Sequence, residues 1–414
     1  MSLEKMTSNV HPRSAFQHRD FRFYVSARFL ALCAHQMLAV ALGQYVYKLT
    51  HNPLHLGYIG LALFFPKFGF TLIAGHTADH FDRRLIILIC RIVQWMCMMG
   101  LIVFSLTGFQ PFWILYALLL LMGTANAFDG PASQSIVPDL VPPEHFHNAV
   151  TWGSSIMQAA FIAGPALGGW LYALFGKAIF VFVAVAFIRF ASIVLIAKIK
   201  TRSLSSQGEI TAHLLSKSLF AGLHYVWKTK IILGTISLDL FAVLLGGAVA
   251  LMPIFANDIL HVGPAGLGML RAAPSVGAAV MAISIAYLPP MKRSGLVLLW
   301  CVGIFGVMTI IFGLSKNIMI SLVALILMGG VDMVSVVIRG VLVQTQTPPA
   351  MRGRVSAVNL VFIGASNELG EFESGLTAAW FGVIPSVILG GLGTLAVVGL
   401  WAWKFPEIRT YKGT

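Results

Sequence analysis

Twelve stretches of this chain are long and apolar enough to leave the backbone no water to bond to. They run over residues 21–48, 55–78, 85–107, 111–130, 148–175, 178–197, 231–256, 264–288, 296–315, 318–343, 355–381 and 384–403. A helix needs about 20 apolar residues to cross a bilayer. In hydrocarbon every backbone N–H and C=O must find its partner within the protein, and for runs of this length the helix meets that demand. Only 10% of the residues are charged and 58% are hydrophobic, whereas a soluble domain carries roughly 25% charge. The expected fold class is an all-α membrane protein with twelve transmembrane helices.

The chain also repeats itself. Gly60, Pro66 and Gly69 have the spacing of Gly268, Pro274 and Gly277, 208 residues later, and Gln134 and Pro138 recur as Gln344 and Pro348, 210 residues later. A unit of that size, copied once, fills the 414 residues. Duplication in an apolar chain is the signature of a secondary transporter whose substrate site lies between its halves. The expected division is a first six-helix bundle over 1–198, a polar connection over 199–230 and a second six-helix bundle over 231–414. The connection opens with a Ser-rich, flexible composition. It continues as an expected amphipathic helix with Leu215, Leu219, Leu223 and Val226 at spacings of three or four.

A net charge of +13 invites a nucleic-acid reading, but its distribution argues for orientation instead. With the N-terminus and every second connection assigned to the cytoplasm, those segments hold 19 of the 28 Lys and Arg, while the outer connections hold Lys48, Lys177 and Lys316. This asymmetry is the positive-inside rule. It predicts a multi-pass protein of the cell (inner) membrane with both termini cytoplasmic and no nucleic-acid partner. Cys33, Cys90, Cys97 and Cys301 all fall within spans, so no disulfide framework is expected. Residues 1–20 lack a short apolar core, so no cleavable signal is expected and the first span directs insertion.

After the second span comes Gly75-His76-Thr77-Ala78-Asp79-His80-Phe81-Asp82-Arg83-Arg84. Gly75 lets helices approach closely, Asp79 supplies an acid at a helix end, and Arg83 and Arg84 anchor the turn. The segment resembles the signature loop of the major facilitator superfamily, Gly-x-x-x-Asp-(Arg/Lys)-x-Gly-(Arg/Lys)-(Arg/Lys), with His80 and Asp82 as departures. The corresponding loop of the second half, residues 289–293, is degenerate, so an asymmetric latch is expected. In the fifth span, Ala160 through Gly164-Pro165-Ala166-Leu167-Gly168-Gly169 resembles the Gly-x-x-x-Gly-Pro-x-x-Gly-Gly motif of facilitator antiporters, with Ala160 at the first Gly. Small residues at this spacing make a flat packing face, and Pro165 removes a backbone donor. Residues 129–142, and Arg339 through Gln344 and Pro348 to Ala357, resemble the exporter branch that contains enterobactin (siderophore) exporters and macrolide-efflux-type proteins. The resemblance covers nearly the whole chain. It implies two pseudo-symmetric six-helix bundles, export rather than uptake and a monomer. It also implies a cytoplasmic gate drawn from Gly75, Asp79, Arg83, Arg84, Asp129, Arg339 and Arg352.

Six acids (Asp129, Asp239, Asp332, Glu368, Glu371, Glu373) and six bases (Arg28, Lys67, Arg91, Arg189, Arg271, Arg339) fall within the spans. Each central charge costs about 2.5–3.5 kcal/mol on insertion scales, so such residues face a watery cavity or one another. Arg91 and Arg339, near span ends, are expected to snorkel, and Arg189, on a helix that is supporting in the superfamily, is expected to be structural. Glu368 and Glu371 are three apart and share a helix face, while Glu373 points elsewhere. Two such carboxylates repel in low dielectric, so one is expected to hold a proton near neutrality. Asp332, Glu368 and Glu371 are therefore the proton-coupling candidates; the open alternative is permanent pairing of the acids with Arg271, Arg28 or Lys67. Candidate cavity residues are Arg28, His35, Gln36, Asn126, Asp239 and Arg271.

No phosphate-binding Gly-x-x-x-x-Gly-Lys-(Ser/Thr), His-Glu-x-x-His, Cys-x-x-Cys or Gly-x-Ser-x-Gly stands out. Neither ATP drive, an enzyme, a cofactor nor a resident metal is expected. The leading expectation is export of a small organic compound (siderophore, drug or metabolite) in exchange for protons, by alternating access. Its partners would be the small-molecule substrate, protons and the lipid bilayer. Two alternatives stay open: a divalent-metal carrier using the three glutamates with Asn367 and His35, and a non-transporting membrane scaffold.

Overall fold

The computed structural model describes residues 14–107, 111–201, 222–287, 293–348 and 351–411. Among the described residues twelve long helices carry the chain back and forth: α1 (Arg19–Thr50), α2 (Pro53–His80), α3 (Arg83–Leu106), α4 (Phe112–Ser135), α5 (Phe146–Phe175), α6 (Ala178–Ala197), α7 (Lys230–Gly246), α8 (Gly263–Tyr287), α9 (Ser294–Leu314), α10 (Ile318–Gln346), α11 (Arg352–Phe381) and α12 (Val383–Lys404). No strand occurs among the described residues. We call the end of the bundle at which α1 starts the near end and the opposite one the far end.

Local chemistry sets the helix limits. Asn52 caps α2 by accepting from the Leu54 N–H at 2.9 Å, with Pro53 behind it. Asp82 caps α3 through the Arg84 N–H at 2.9 Å, and Asn317 caps α10 through the Met319 N–H at 2.8 Å. Each side-chain oxygen satisfies one of the orphan donors of a first turn. Gly176, at φ 69°, closes α5 in the left-handed region that glycine enters without a Cβ clash. After α7 the path departs from the α-helix. A 3₁₀ turn over Ala248–Leu251 and a short helix over Met252–Ile254 lead into a π turn over Phe255–Ile259. Pro253, which lacks a donor, sits within this irregular run.

α1 packs on α5 and α6, α2 on α4, and α3 on α4 and α6; in the second half α8 packs on α10, α9 on α10 and α12, and α7 on α11 and α12. The two bundles so formed meet along two seams, α2 against α11 and α5 against α8. Large apolar side chains such as Phe65, Phe187, Trp300 and Trp403 point outward, the surface a lipid environment requires. Ten helices qualify as membrane spans on length and apolar composition alone, eleven with α2 counted as one span. The exception is α11, whose Asn359, Asn367, Glu368 and Glu371 dilute its apolar run. Of the expected connecting helix, residues 222–228 are helical and Val226 is buried. Leu215, Leu219 and the degenerate loop Pro289-Pro290-Met291-Lys292 lie outside the described residues, as do Lys5 and Arg13.

Candidate substrate cavity

Between the bundles, from mid-depth toward the near end, lies a cavity of about 320 Å³, a size common among small-molecule sites. α1 contributes Arg28, Ala31, Leu32 and His35, whose spacing puts them on one face. The other walls are Leu63 and Lys67 of α2, Arg91 and Gln94 of α3, Asn126, Asp129, Gly130, Ser133 and Gln134 of α4, Arg189 of α6 and Glu368 of α11. Four cationic side chains therefore face two carboxylates.

The cations are held differently. Lys67 Nζ meets Glu368 Oε1 at 2.8 Å, tying α2 to α11 across the seam, while Glu368 Oε2 is buried without a partner. Arg91 is 3% exposed; its Nη1 donates to the Ala27 carbonyl at 2.9 Å and to Ser192 Oγ, and its Nε lies 3.7 Å from Asp129. Arg28 donates to the Tyr24 hydroxyl at 3.1 Å, and Tyr24 in turn donates to the Ser133 carbonyl. Arg189, also 3% exposed, donates from Nη1 to Gln94 Oε1, while its Nε and Nη2 have no hydrogen-bond partner. Gln94 is itself fixed by donating to Asn126 Oδ1 at 2.8 Å. His35 lies within electrostatic reach of Arg189, Lys67 and Arg271.

One sequence expectation is corrected here. Arg91 and Arg339 do not snorkel: both are buried, because carbonyls, a serine and carboxylates reach them inside the bundle. Arg189, expected to be structural, is bonded to Gln94 and also borders the cavity. Of the expected cavity residues, Arg28, His35 and Asn126 line it; the other three sit elsewhere. Gln36 lies against α5 at Gly164. Asp239 pairs with Arg339, which also has Asp332 at 4.0 Å. Arg271 faces Glu371, whose carboxylate lies over Gly60. Glu368 and Glu371, expected to repel one another, thus each have a cation at hand.

At the far end the two halves are tied by side-chain hydrogen bonds. Gln44 of α1 and Asn257 exchange two hydrogen bonds of 2.8 Å, and Tyr47 donates to Asp258. The π turn is what presents Asn257 and Asp258 to α1. Tyr58 of α2 stacks on Phe372 of α11 with ring centroids 6.1 Å apart. At mid-depth Gln158 of α5 donates to the Ser275 carbonyl of α8 at 2.6 Å. The cavity thus lies to the near-end side of the bonds that join the two halves at the far end.

Residues 10–411 match the family described as transmembrane secretion effector. The chain belongs to that family, within the major facilitator superfamily. It is a multi-pass membrane transporter and not an enzyme. It is 26% identical over 96% of its length to the enterobactin exporter EntS of Escherichia coli O1:K1, covering 94% of that protein. Against the enterobactin exporter EntS of Citrobacter koseri the identity is 27% over 95% of this chain and 94% of the other. Among solved structures it superposes on a bacterial homologue of the human lysosomal transporter Spinster, inward-facing and occupied, with a TM-score of 0.73 at 14% identity, covering 97% of this chain and 99% of that one. A D-xylose–proton symporter gives a TM-score of 0.70 at 13% identity, covering 94% and 99%.

The facilitator motifs then find their places. Gly164 and Gly168 let α5 lie on α1, where a Cβ would come 2.6 Å from Gln36 Cβ and 2.9 Å from Met37 Cα. Gly169 meets the other half instead, where a Cβ would stand 2.7 Å from Gly268 Cα, and the Pro165 carbonyl abuts Gly268. In the signature loop Arg83 pairs with Asp139 at 2.9 Å and donates to the Ser135 and Ala78 carbonyls. Arg84 donates to the Ala197 carbonyl at 2.6 Å. Asp79 is exposed, Arg352 donates to the Thr347 carbonyl at 3.2 Å, and Gly75, expected to let helices approach closely, does not do so here, since nothing lies within 4 Å of its would-be Cβ. Asp139 is the acid sequence reasoning missed; its place four residues past the end of α4 was the signal available. Among the described residues no three of His, Cys, Asp and Glu gather to hold a metal ion.

Proposed function

We propose that this transporter exports a small organic compound in exchange for protons, by alternating access, with the near end in the cytoplasm of the cell (inner) membrane. The orientation rests on the excess of Lys and Arg in the near-end connections. Enterobactin, the compound in the relatives' names, is the first cargo to test, and the siderophore class is the substrate class we assign. The carrying observation is the ion pair between Lys67 and Glu368, which sits in the cavity wall and bridges the bundles.

In the conformation described, Glu368 as an anion holds Lys67, as expected after a proton has been released to the near side. Substrate entering the cavity competes for the same cation. Once the far side opens, Glu368 Oε2, buried without a partner, takes up a proton and Lys67 is released. Glu371 and Asp332 are the secondary coupling candidates, each with one arginine nearby. The exchange requires no nucleotide and no second subunit. The test is proton movement induced by enterobactin in proteoliposomes. Glu368→Gln is expected to abolish the proton signal while leaving equilibrium exchange of substrate, with smaller losses in Glu371→Gln and Asp332→Asn. Unchanged proton signals in all three variants would overturn the coupling.

A further inference from the structure

Four cations line the cavity, but only two have a carboxylate beside them. Glu368 occupies Lys67 at 2.8 Å, and Asp129 lies 3.7 Å from Arg91. Among the described residues Arg28 hydrogen-bonds the Tyr24 hydroxyl and Arg189 the Gln94 carbonyl oxygen, neither bonds a carboxylate, and Arg189 feels Asp129 only at longer range. Arg189 is the more demanding of these. Its side chain is 3% exposed and borders the cavity, yet Nε and Nη2 meet no acceptor. A buried, unpaired guanidinium is costly. The cost is met only when an acceptor arrives, and the Nε–Nη2 edge of a guanidinium is the fork that takes two oxygens at once. The opposite edge is already fixed, since Gln94 is braced by Asn126.

We propose that the cavity binds its substrate through an anionic oxygen group, a carboxylate or an ionised phenol, seated on the Nε–Nη2 edge of Arg189 with Arg28 as the second cation. This names the substrate class of the exporter proposed above and rests on that assignment. A neutral passenger leaves Arg189 unpaired, and a cationic one must approach two uncompensated arginines. Asp129 acts on Arg189 as well as on Arg91, but two carboxylates against four cations leave the cavity wall net positive. No residue of the second bundle except Glu368 lines the site, so recognition of the charge belongs to the first bundle.

The experiment compares salicylate with salicylamide, which share the ring and hydroxyl and differ in charge. Binding to the full chain in lipid nanodiscs is followed by calorimetry at constant ionic strength. Salicylate is expected to bind about tenfold more tightly, the scale of one charge-assisted bidentate contact. Arg189→Gln should erase that preference, so that the two probes bind alike. Arg28→Gln, at a half-buried position that tolerates the change more readily, should reduce it. Equal binding of the two probes by the unaltered chain, or a preference that survives both substitutions, overturns the proposal. Enterobactin efflux from proteoliposomes is read in parallel. Efflux without charge preference overturns the anion site alone, and charge preference without efflux supports the anion site while overturning the exporter assignment.

Discussion

Arg339 shows what a charge inside this bundle requires. Its guanidinium is bonded to Asp239 of α7, both side chains are 10% exposed, and Asp332 stands 4.0 Å away at 44% exposure. Removing one partner of such a pair strands the other in low dielectric, which costs about 3–5 kcal/mol. Arg339→Met is therefore expected to lower the thermal unfolding temperature of the detergent-solubilised protein sharply. The exchange Asp239→Arg with Arg339→Asp should recover much of the loss, because the pair is restored with its polarity reversed. The first half already contains that reversal. Arg28 precedes Asp239 by 211 residues and Asp129 precedes Arg339 by 210, so the internal repeat places opposite charges at matching sites. In the second half the two bond to each other. In the first, Arg28 is held by Tyr24, Asp129 by Arg91 and Ser133, and both border the cavity.

At the level of elements, helix crossings are set by glycines whose partners are backbone. A Cβ on Gly277 of α8 would fall 1.8 Å from the Ile326 carbonyl oxygen of α10, and one on Gly329 of α10 would fall 1.9 Å from the Pro274 carbonyl oxygen. Neither backbone can yield without separating the helices. Gly69, the repeat counterpart of Gly277, has nothing within 4 Å of its would-be Cβ. Gly277→Ala is accordingly expected to cut the yield of monodisperse protein severalfold and to lower its unfolding temperature, whereas Gly69→Ala leaves both unchanged. Size-exclusion profiles and thermal scans of the two variants decide the matter. The same comparison marks how far the sequence could be read. The spans, the duplication and the small-residue face at Gly164, Gly168 and Gly169 follow from local composition and spacing, so they were visible. Arg189 was not, because a single arginine in an apolar run reads as scaffold until its bond to Gln94, 95 residues away, is known. Nor was the π turn after α7, since periodicity does not report the one-residue slip that delivers Asn257 and Asp258 to α1.

For the whole molecule, the proposed alternating access requires that the far end open when the near end closes. The bonds between Gln44 and Asn257 are where that motion can be stopped. Gln44→Cys with Asn257→Cys, oxidised, should block transport and leave binding from the near side intact, with activity returning on reduction. The chain's own Cys33, Cys90, Cys97 and Cys301 are all buried, and the two single-cysteine variants serve as controls for them. Transport that continues through an oxidised link would exclude rocking of the bundles about this cavity.

The two arginines without a carboxylate also make the carrier an electrical device. Carrying one elementary charge through the full field of a membrane is worth about 2.3 kcal/mol per 100 mV. With the termini side negative, as the proposed orientation has it, the resting voltage would favour an empty carrier open toward that side. A negatively charged passenger cancels that hold, so that loading itself becomes the permission to turn outward.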